Sequence, residues 1–310
     1  MPKPIPEPVR PEDIWIDLCD PGEDERRKVE ERFGITVPDL ASLTEIEASS
    51  RLRTKNEALI LTAPLLSRGA AADRLEYVPT GFILLPNVLI TVHYAPLGAF
   101  EAVQGSLTEN PPRTPLSMFA RLLEEVVDRA ADHLEMLSEV TSSISKTVFY
   151  TDIDKRGLKA ETAILRRTII KLGRASERAS QLRHTSLSIG RAVKFVIDRD
   201  EHDAEANSRL RRIVQDIDSL DEFETSISER IQFLLDAATS LINIGQNAVV
   251  TVLTVASVAG IPPVLVAGVY GMNFKFMPEL SWPWGYPFAL ALCVVSTLIP
   301  YLWFKWRKWV

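Results

Sequence analysis

The sequence predicts an α+β cytoplasmic domain that is followed by a long stalk helix and two C-terminal transmembrane helices, in a predominantly helical, oligomeric chain. Residues 237–274 and 280–304 contain no Asp, Glu, Lys or Arg. Apolar residues recur every three or four positions over 207–270, as they do on one side of a helix. Short apolar runs separated by Pro and Asn fill the first part of the chain and are typical of strands.

The composition changes along the 310-residue chain, and the predicted divisions follow those changes. They are an α/β domain at 1–112, a helical hairpin region at 113–206, a stalk helix at 207–270 that becomes a first membrane span at about 248–270, a loop at 271–285, a second span at 286–304, and a basic tail at 305–310. In the first part, IWIDLCD and ALILTAPLL predict buried strands, and TGFILLPNVLITVHY predicts two strands broken at Pro86-Asn87.

The stalk helix is predicted from one apolar seam. Its members are Leu210, Ile213, Ile217, Leu220, Phe223, Ile227, Ile231, Leu234, Ala238 and Leu241. A spacing that alternates between three and four suits a helix packed along one side. Such a helix needs neighbouring helices, because it cannot bury its seam alone.

Both apolar segments are long enough to cross a bilayer, which takes about 20 residues. The alternative is a pair of buried core helices in a soluble protein. Aromatic residues favour the membrane, since Trp and Tyr concentrate at its two interfaces. Trp282, Trp284 and Tyr286 precede or open the second span, and Tyr301, Trp303, Trp306 and Trp309 close it.

The charges predict the orientation of the spans. The tail KWRKWV places three basic residues directly after the second span, which favours the cytoplasmic side. The Pro-rich N-terminus has no apolar stretch of the kind a secretory signal needs. We therefore expect a multi-pass protein of the inner (plasma) membrane with both termini in the cytoplasm and the loop at 271–285 outside.

The first span has one face that is less apolar than the rest. The residues of this predicted pore face are Asn247, Thr251, Thr254, Val258, Ile261, Leu265 and Gly268. One interpretation is that Thr and Gly only let two membrane helices approach closely. The other is a pore wall with polar groups at the cytoplasmic end and bulky aliphatic side chains in the middle, where dewetting can gate ion flow.

The loop motif indicates a family. YGMNF at the end of the first span, followed by MPEL, resembles the CorA family of divalent-cation channels. The resemblance implies a homopentamer that conducts Mg²⁺, and also Co²⁺ and Ni²⁺, driven by the membrane potential. It implies a selectivity filter at Gly271, Met272 and Asn273, where we expect Gly271 to adopt an unusual backbone conformation. It also implies Asp236 and Asn247 at the cytoplasmic pore entrance, although both are also compatible with a solvated stalk face.

Two features of the charge pattern bear on this resemblance. Members of the family often carry Glu where this chain has Lys275. Glu279 is therefore the only carboxylate of the external loop in this sequence. The family closes when cytoplasmic Mg²⁺ bridges acidic residues, and Asp216, Asp218 and Asp221 are candidates for that regulatory role. A charged helix face that is merely solvated explains these three residues equally well.

The sequence offers no phosphate-binding loop, nucleophile elbow or dinucleotide fingerprint, so we expect neither an enzyme nor an organic cofactor. The expected partners are membrane lipids and further copies of the chain, without nucleic acid. Two alternatives stay open: a zinc transporter of the same superfamily, and a non-conducting, membrane-anchored coiled-coil scaffold.

Overall fold

The computed structural model describes residues 14–45, 51–55, 57–69, 75–107, 111–150, 158–199, 203–273, 277–278 and 282–307. By chain contacts the molecule divides into two units, the first comprising 1–151 and 169–235 and the second 152–168 and 236–310. The elements are β1 (Trp15–Cys19), α1 (Glu23–Phe33), α2 (Leu40–Leu43), β2 (Leu52–Lys55), β3 (Ala58–Arg68), β4 (Leu75–Leu84), β5 (Leu89–His93), α3 (Gly98–Ser106), α4 (Pro115–Tyr150), α5 (Leu158–Ile197), α6 (Ala204–Tyr270) and α7 (Gly285–Trp306). An α/β domain, a long helix and two C-terminal apolar helical segments are therefore present, as the sequence predicts.

The first unit contains a five-stranded sheet of order β1-β5-β4-β3-β2, in which β1 runs parallel to β5 and the other pairs are antiparallel. β5, with the sequence LITVH, is buried at all five positions, because helices cover both faces of the sheet at this strand; the buried residues include Thr91 and His93. β2 is a four-residue edge strand with charged side chains, a pattern that discourages pairing with other chains.

Helices cover both faces of this sheet. On one face Phe82 contacts Phe100 of α3 and Phe119 of α4, with ring centroids 6.1 and 5.4 Å apart. The same core includes Val193 of α5 and Leu210 of α6, both fully buried. On the other face Ile90 and Val92 pack with residues of α1, α2 and the α1–α2 connection. The first unit thus has its own hydrophobic core.

The starts of α4 and α6 are tied together by their capping residues. Thr114 and Ser117 cap α4 reciprocally, and the Asp203 carboxylate accepts the backbone N–H of Ala206 at 2.9 Å. The Thr114 hydroxyl donates to the same carboxylate at 2.6 Å. Capping side chains satisfy backbone donors that a helix start otherwise leaves unpaired. The link therefore fixes the two helices against each other where the stalk begins.

The predicted seam of the stalk is wrong at one residue. Phe223 is 40% exposed, whereas the neighbouring Glu224 is only 3% exposed. The buried positions run Ile217, Glu224, Ile227 and Ile231, with Leu220 partly buried, and keep the helical period. Glu224 is accommodated because its carboxylate lies 3.3 Å from the guanidinium of Arg183 on α5 and accepts the Ser228 hydroxyl at 2.7 Å. An ion pair between helices thus replaces an apolar contact that residue type alone predicted.

Candidate ion-conducting site

The predicted pore face lies on the C-terminal part of α6, in the second unit. Within the single chain most of this face is open: Asn247, Thr254, Val258, Ile261, Leu265 and Gly268 are exposed, and Thr251 is half-buried. One long helix brings these residues into a single row, since positions three and four apart share a side.

The other C-terminal helix, α7, packs on a different side of α6. Cys293 Sγ of α7 lies 3.7 Å from the carbonyl oxygen of Pro263. On that side of α6 Val255 is buried and Val266 is half-buried. At 100° per residue this side lies about 130° around the helix from the centre of the predicted pore face. The pore face therefore has no covering from α7.

The hydroxyl protons of the two threonines on the predicted pore face are used within the helix. The Thr251 hydroxyl donates to the carbonyl of Asn247 at 2.9 Å, and that of Thr254 donates to the carbonyl of Val250 at 2.8 Å. Because each proton is committed to the helix's own backbone, the lone pairs of each oxygen stay available. Acceptors of this kind match the water hydrogens that surround a hydrated cation.

The helix ends at the Gly-Met-Asn motif by a tightened turn. The N–H of Gly271 donates to the carbonyls of Ala267 and Gly268 at 2.9 and 3.2 Å, and that of Met272 donates to Val269 at 3.2 Å. The backbone of Gly271 is not left-handed; among the described residues a positive φ occurs at Asp20 and Gly34. Space constrains Gly271 instead, because a Cβ there would lie 3.2 Å from the Ala267 carbonyl oxygen.

Asn273 follows this turn with its side chain exposed, and Met272 is 49% exposed. Carbonyls at a helix C-terminus lack donors from within the helix, so they can serve as acceptors for a ligand. The carboxamide oxygen of Asn273 adds an acceptor from a side chain. Lys275 and Glu279, predicted to set the charge of the external loop, lie outside the described residues.

At the other end of the candidate pathway, Asp236 and Asn247 are both exposed on α6. Their separation of eleven positions corresponds to roughly 16 Å along the helix axis. Exposure is compatible with a pore entrance and with a solvated stalk face, so the role of Asp236 and Asn247 stays a prediction.

The predicted regulatory carboxylates differ in their surroundings. Asp216 and Asp218 are exposed on α6, whereas the Asp221 carboxylate lies 2.9 Å from the guanidinium of Arg183. Asp221 is thus already neutralised by a cation. No group of three or more His, Cys, Asp or Glu side chains with metal-binding geometry occurs among the residues that the structure describes.

Sequence analysis missed an acidic residue opposite Asp216. Partial burial and the charges of Glu125, Glu124 and Asp216 raise the pKa of Asp128 on α4. Burial is the larger cause, and the nearby carboxylates add to it because like charges disfavour ionisation. The periodicity of α4 could have placed Asp128 on its polar side, but only the tertiary structure brings it within electrostatic reach of α6.

Among the residues that the structure describes, two helices are long and apolar enough to span a membrane, namely α6 through its C-terminal part and α7. Only 6% of the residues in the most apolar segment of each helix are buried in the single chain, and the others are half-buried or exposed. Trp284 and Tyr286 at one end of α7, and Trp303 and Trp306 at the other, are also exposed. About 28 Å of helix separates Trp284 from Trp303, close to the ~30 Å thickness of the hydrocarbon core.

Comparison with known proteins agrees with this architecture. The sequence profile of a family described as CorA-like Mg2+ transporter protein matches residues 12–306. The magnesium transport protein CorA of Wolinella succinogenes is 31% identical over 302 residues, which cover 96% of this chain and 91% of that protein. The protein of the same name from Escherichia coli K12 is 29% identical over 303 residues, which cover 96% and 92%.

Solved structures share the fold. The complete CorA magnesium transporter from Methanocaldococcus jannaschii has a TM-score of 0.75 at 20% identity and covers 96% of this chain and 91% of its own. Full-length CmaX has a TM-score of 0.67 at 16% identity, with coverage of 95% and 88%. The ZntB cytoplasmic domain from Vibrio parahaemolyticus has a TM-score of 0.55 at 13% identity, with coverage of 74% and 87%. The resemblance carried by the loop motif is confirmed, and the chain belongs to the CorA-like Mg²⁺ transporter family.

Proposed function

We propose that this Mg²⁺ transporter conducts its ion along the pore face of α6, in a ring of several copies of the chain. The observation that carries the proposal is the open row from Asn247 to Gly268, which α7 does not cover. Exposed polar groups are costly next to lipid, so they favour a position that faces water or another copy. The family resemblance sets the number of copies at five, and lipids cover the remaining apolar surface.

Ion selection is assigned to Gly271, Met272 and Asn273. Mg²⁺ is small, prefers octahedral oxygen coordination and gives up its water reluctantly. A filter that accepts hydrogen bonds from the bound water can select the ion without removing that shell. Backbone carbonyls at the end of α6 and the Asn273 carboxamide supply such acceptors once they are repeated around a ring. Hydrated Co²⁺ and Ni²⁺ present similar octahedral shells, so we expect them to pass as well.

The membrane potential supplies the driving force in this proposal. A divalent ion gains about 4.6 kcal/mol per 100 mV, which is twice the ~2.3 kcal/mol of a single charge. No chemical fuel is needed for inward flow. This requires residues 1–236 in the cytoplasm and the 271–285 loop outside, at the inner membrane.

Cytoplasmic Mg²⁺ is proposed as a regulatory ion at the exposed carboxylates Asp216 and Asp218. The crowding of Asp128 against Asp216 supports this position, since a divalent ion there would relieve repulsion between carboxylates. Asp221 contributes less, because Arg183 already neutralises it.

Flux into liposomes tests the proposal. The purified full chain is reconstituted around an ion-sensitive dye, and uptake of Mg²⁺, Co²⁺, Ni²⁺ and Zn²⁺ is followed with and without an imposed potential. We expect Mg²⁺ uptake that rises when the interior is negative. Absence of flux would support the scaffold alternative, and uptake of Zn²⁺ with exclusion of Mg²⁺ would support the zinc alternative.

Cysteine labelling tests the orientation. Cys19 is exposed, so the background variant carries Cys19→Ser and Cys293→Ser. Single cysteines are then introduced at Ser281 and Ser208 and treated in intact cells with an impermeant thiol reagent. We expect labelling at position 281 and not at 208. The reverse pattern would invert the topology and exclude the proposed direction of flow.

A further inference from the structure

A buried polar network joins β1 to β5 on the face of the sheet that α3 and α4 cover. The Trp15 indole N–H donates to the Thr91 hydroxyl oxygen at 2.9 Å, and that hydroxyl donates to Asp17 Oδ1 at 2.5 Å. His93 Nε2 lies 3.0 Å from the same Asp17 oxygen. The other ring nitrogen, Nδ1, lies 2.7 Å from the backbone carbonyl of Ala95.

Counting protons decides the state of this histidine. A backbone carbonyl and a carboxylate oxygen are both acceptors, so each ring nitrogen of His93 faces an atom that needs a proton from it. A neutral imidazole carries one N–H and would leave a lone pair directed at an oxygen at 2.7 or 3.0 Å. With Asp17 as a carboxylate, only the doubly protonated ring satisfies both contacts. The Thr91 hydroxyl cannot supply the missing proton, since it already donates to Asp17.

The surroundings hold the ring in place. His93 is 2% exposed, and its ring stands perpendicular to that of Phe100 with centroids 5.3 Å apart. Asp17 is the charged group in contact with it, and 26% of the Asp17 side chain is exposed. Cys19 ends β1 and Asp20 follows it, Glu101 lies on α3, and Arg129 of α4 reaches the start of α3 at Gly98. Of these groups, the Asp17 carboxylate favours a positive charge on His93.

We propose that His93 is an imidazolium cation in the folded protein, and that the His93–Asp17 pair is a pH-sensitive latch between β1 and the turn that follows β5. β1 is an edge strand that pairs with β5 alone. Its attachment therefore depends on one ladder and on these side chains. When His93 loses a proton, either the contact to Asp17 or the contact to Ala95 becomes repulsive, and the latch opens.

The direction of the pH effect follows from proton binding. Burial lowers the pKa of His93, but the hydrogen bond to Asp17, the Asp17 charge and the Ala95 carbonyl outweigh it and raise the pKa above the usual 6.5. The folded state therefore binds the proton more tightly than the unfolded state does. The stabilisation is fully present below about pH 6.5 and is lost as the pH rises through the folded pKa. Within that window the opening constant of β1 should rise up to about tenfold per pH unit.

Hydrogen–deuterium exchange at the imidazole C2 carbon, followed by mass spectrometry, tests the proposal on the full chain in detergent. This exchange reports the protonation of each histidine without any mutation. We expect the titration midpoint of His93 to lie above 6.5 and above that of His184, whose pKa burial and the charges of Arg51 and Arg191 lower. A midpoint for His93 at or below that of His184 would overturn the proposal.

Amide exchange of β1 gives a second measurement. In the wild-type protein, protection of 15–19, corrected for the intrinsic pH dependence, should fall as the pH rises above 6.5. His93→Gln, which can donate only from its amide nitrogen, should show low protection at all pH values. The matched control His184→Gln should keep the wild-type profile. A His93→Gln protein that retains the wild-type pH dependence would contradict the latch, and if that variant fails to fold, the C2 midpoint decides.

Discussion

The sheet-containing unit and the unit with the two apolar helices solve the problem of exposed surface in opposite ways. In the first, charged and polar groups find partners within the chain, as Glu224 does with Arg183 and Asp17 with His93. In the second, large aliphatic side chains are left uncovered. Val252, Leu253, Val264, Leu265, Ile299 and Leu302 are 57–71% exposed.

This difference shows where each unit obtains its stability. Burying one large aliphatic side chain contributes roughly 1.5–3 kcal/mol, so the first unit is stabilised by a core made from its own residues. The helices of the second unit cannot obtain that contribution from one chain. In the proposed assembly, a bilayer and neighbouring copies supply the missing environment. Changes in the first unit should therefore alter folding, whereas changes on the pore face should alter ion flow.

The largest expected effect is on Mg²⁺ uptake and comes from a substitution in the second unit. Asn273→Ala should reduce Mg²⁺ uptake to background while the oligomer stays intact, because the substitution removes the exposed side-chain amide at the end of α6. Uptake into liposomes and size-exclusion chromatography of the purified variant measure the two quantities.

Asn87→Ala is the matched control for Asn273→Ala. It removes the same amide from an exposed turn between β4 and β5 in the first unit, and should leave uptake unchanged. Near-normal uptake by a correctly assembled Asn273→Ala protein would remove Asn273 from the selectivity filter.

The next largest effect is on the folding stability of the first unit. Arg183→Ala should lower the local stability of α5 and α6 by about 1–3 kcal/mol, because it leaves the buried Glu224 carboxylate without its cation. The value is below that of a fully buried pair, since 43% of the Arg183 side chain is exposed. Amide exchange across both helices measures the change.

Two further variants test whether the Arg183–Glu224 ion pair causes this loss of stability. Arg191→Ala removes an exposed arginine whose side chain donates to the Leu187 carbonyl on its own helix, and should cost little. Adding Glu224→Gln to Arg183→Ala should restore part of the loss by removing the unpaired charge. If the double variant is less stable than Arg183→Ala, the ion pair is not the cause.

A smaller effect separates the predicted pore face of α6 from the exposed surface of α7. Val258→Ser should raise Mg²⁺ flux several-fold, since a hydroxyl in the apolar middle of the pore face favours wetting. Val294→Ser makes the same change on α7, at a side chain that is 56% exposed, and should leave flux near the wild-type value. Equal effects of the two substitutions would show that the pore lies on another side of α6.

Sequence patterns predicted the elements that depend on residues close to one another in the chain. The strand break at Pro86-Asn87 and the long apolar helices follow from turn chemistry and periodicity. The exchange of Phe223 for Glu224 in the buried seam was not predictable, because it depends on Arg183 about forty residues earlier. The proximity of Asp128 to Asp216 likewise arises only from packing of α4 near α6. The pore residues were placed on one row by spacing alone, and what that row faces stays a prediction.

The smallest expected effect concerns the external loop. Lys275→Glu should lower the half-saturating Mg²⁺ concentration a few-fold, so that uptake rises at low external Mg²⁺. The saturated rate should stay unchanged. The loop lies in water in the proposed topology, so the substitution acts on the local ion concentration and not on the pore itself. In a ring of five copies each substitution changes the charge by two, and a potential enriches a divalent ion by the square of its effect on a monovalent one.

Salt weakens such an effect beyond about 8 Å at physiological ionic strength, so the gain should shrink as salt is added. An unchanged half-saturating concentration at low salt would mean that Lys275 points away from the mouth, and that its charge does not bear on which ion is carried.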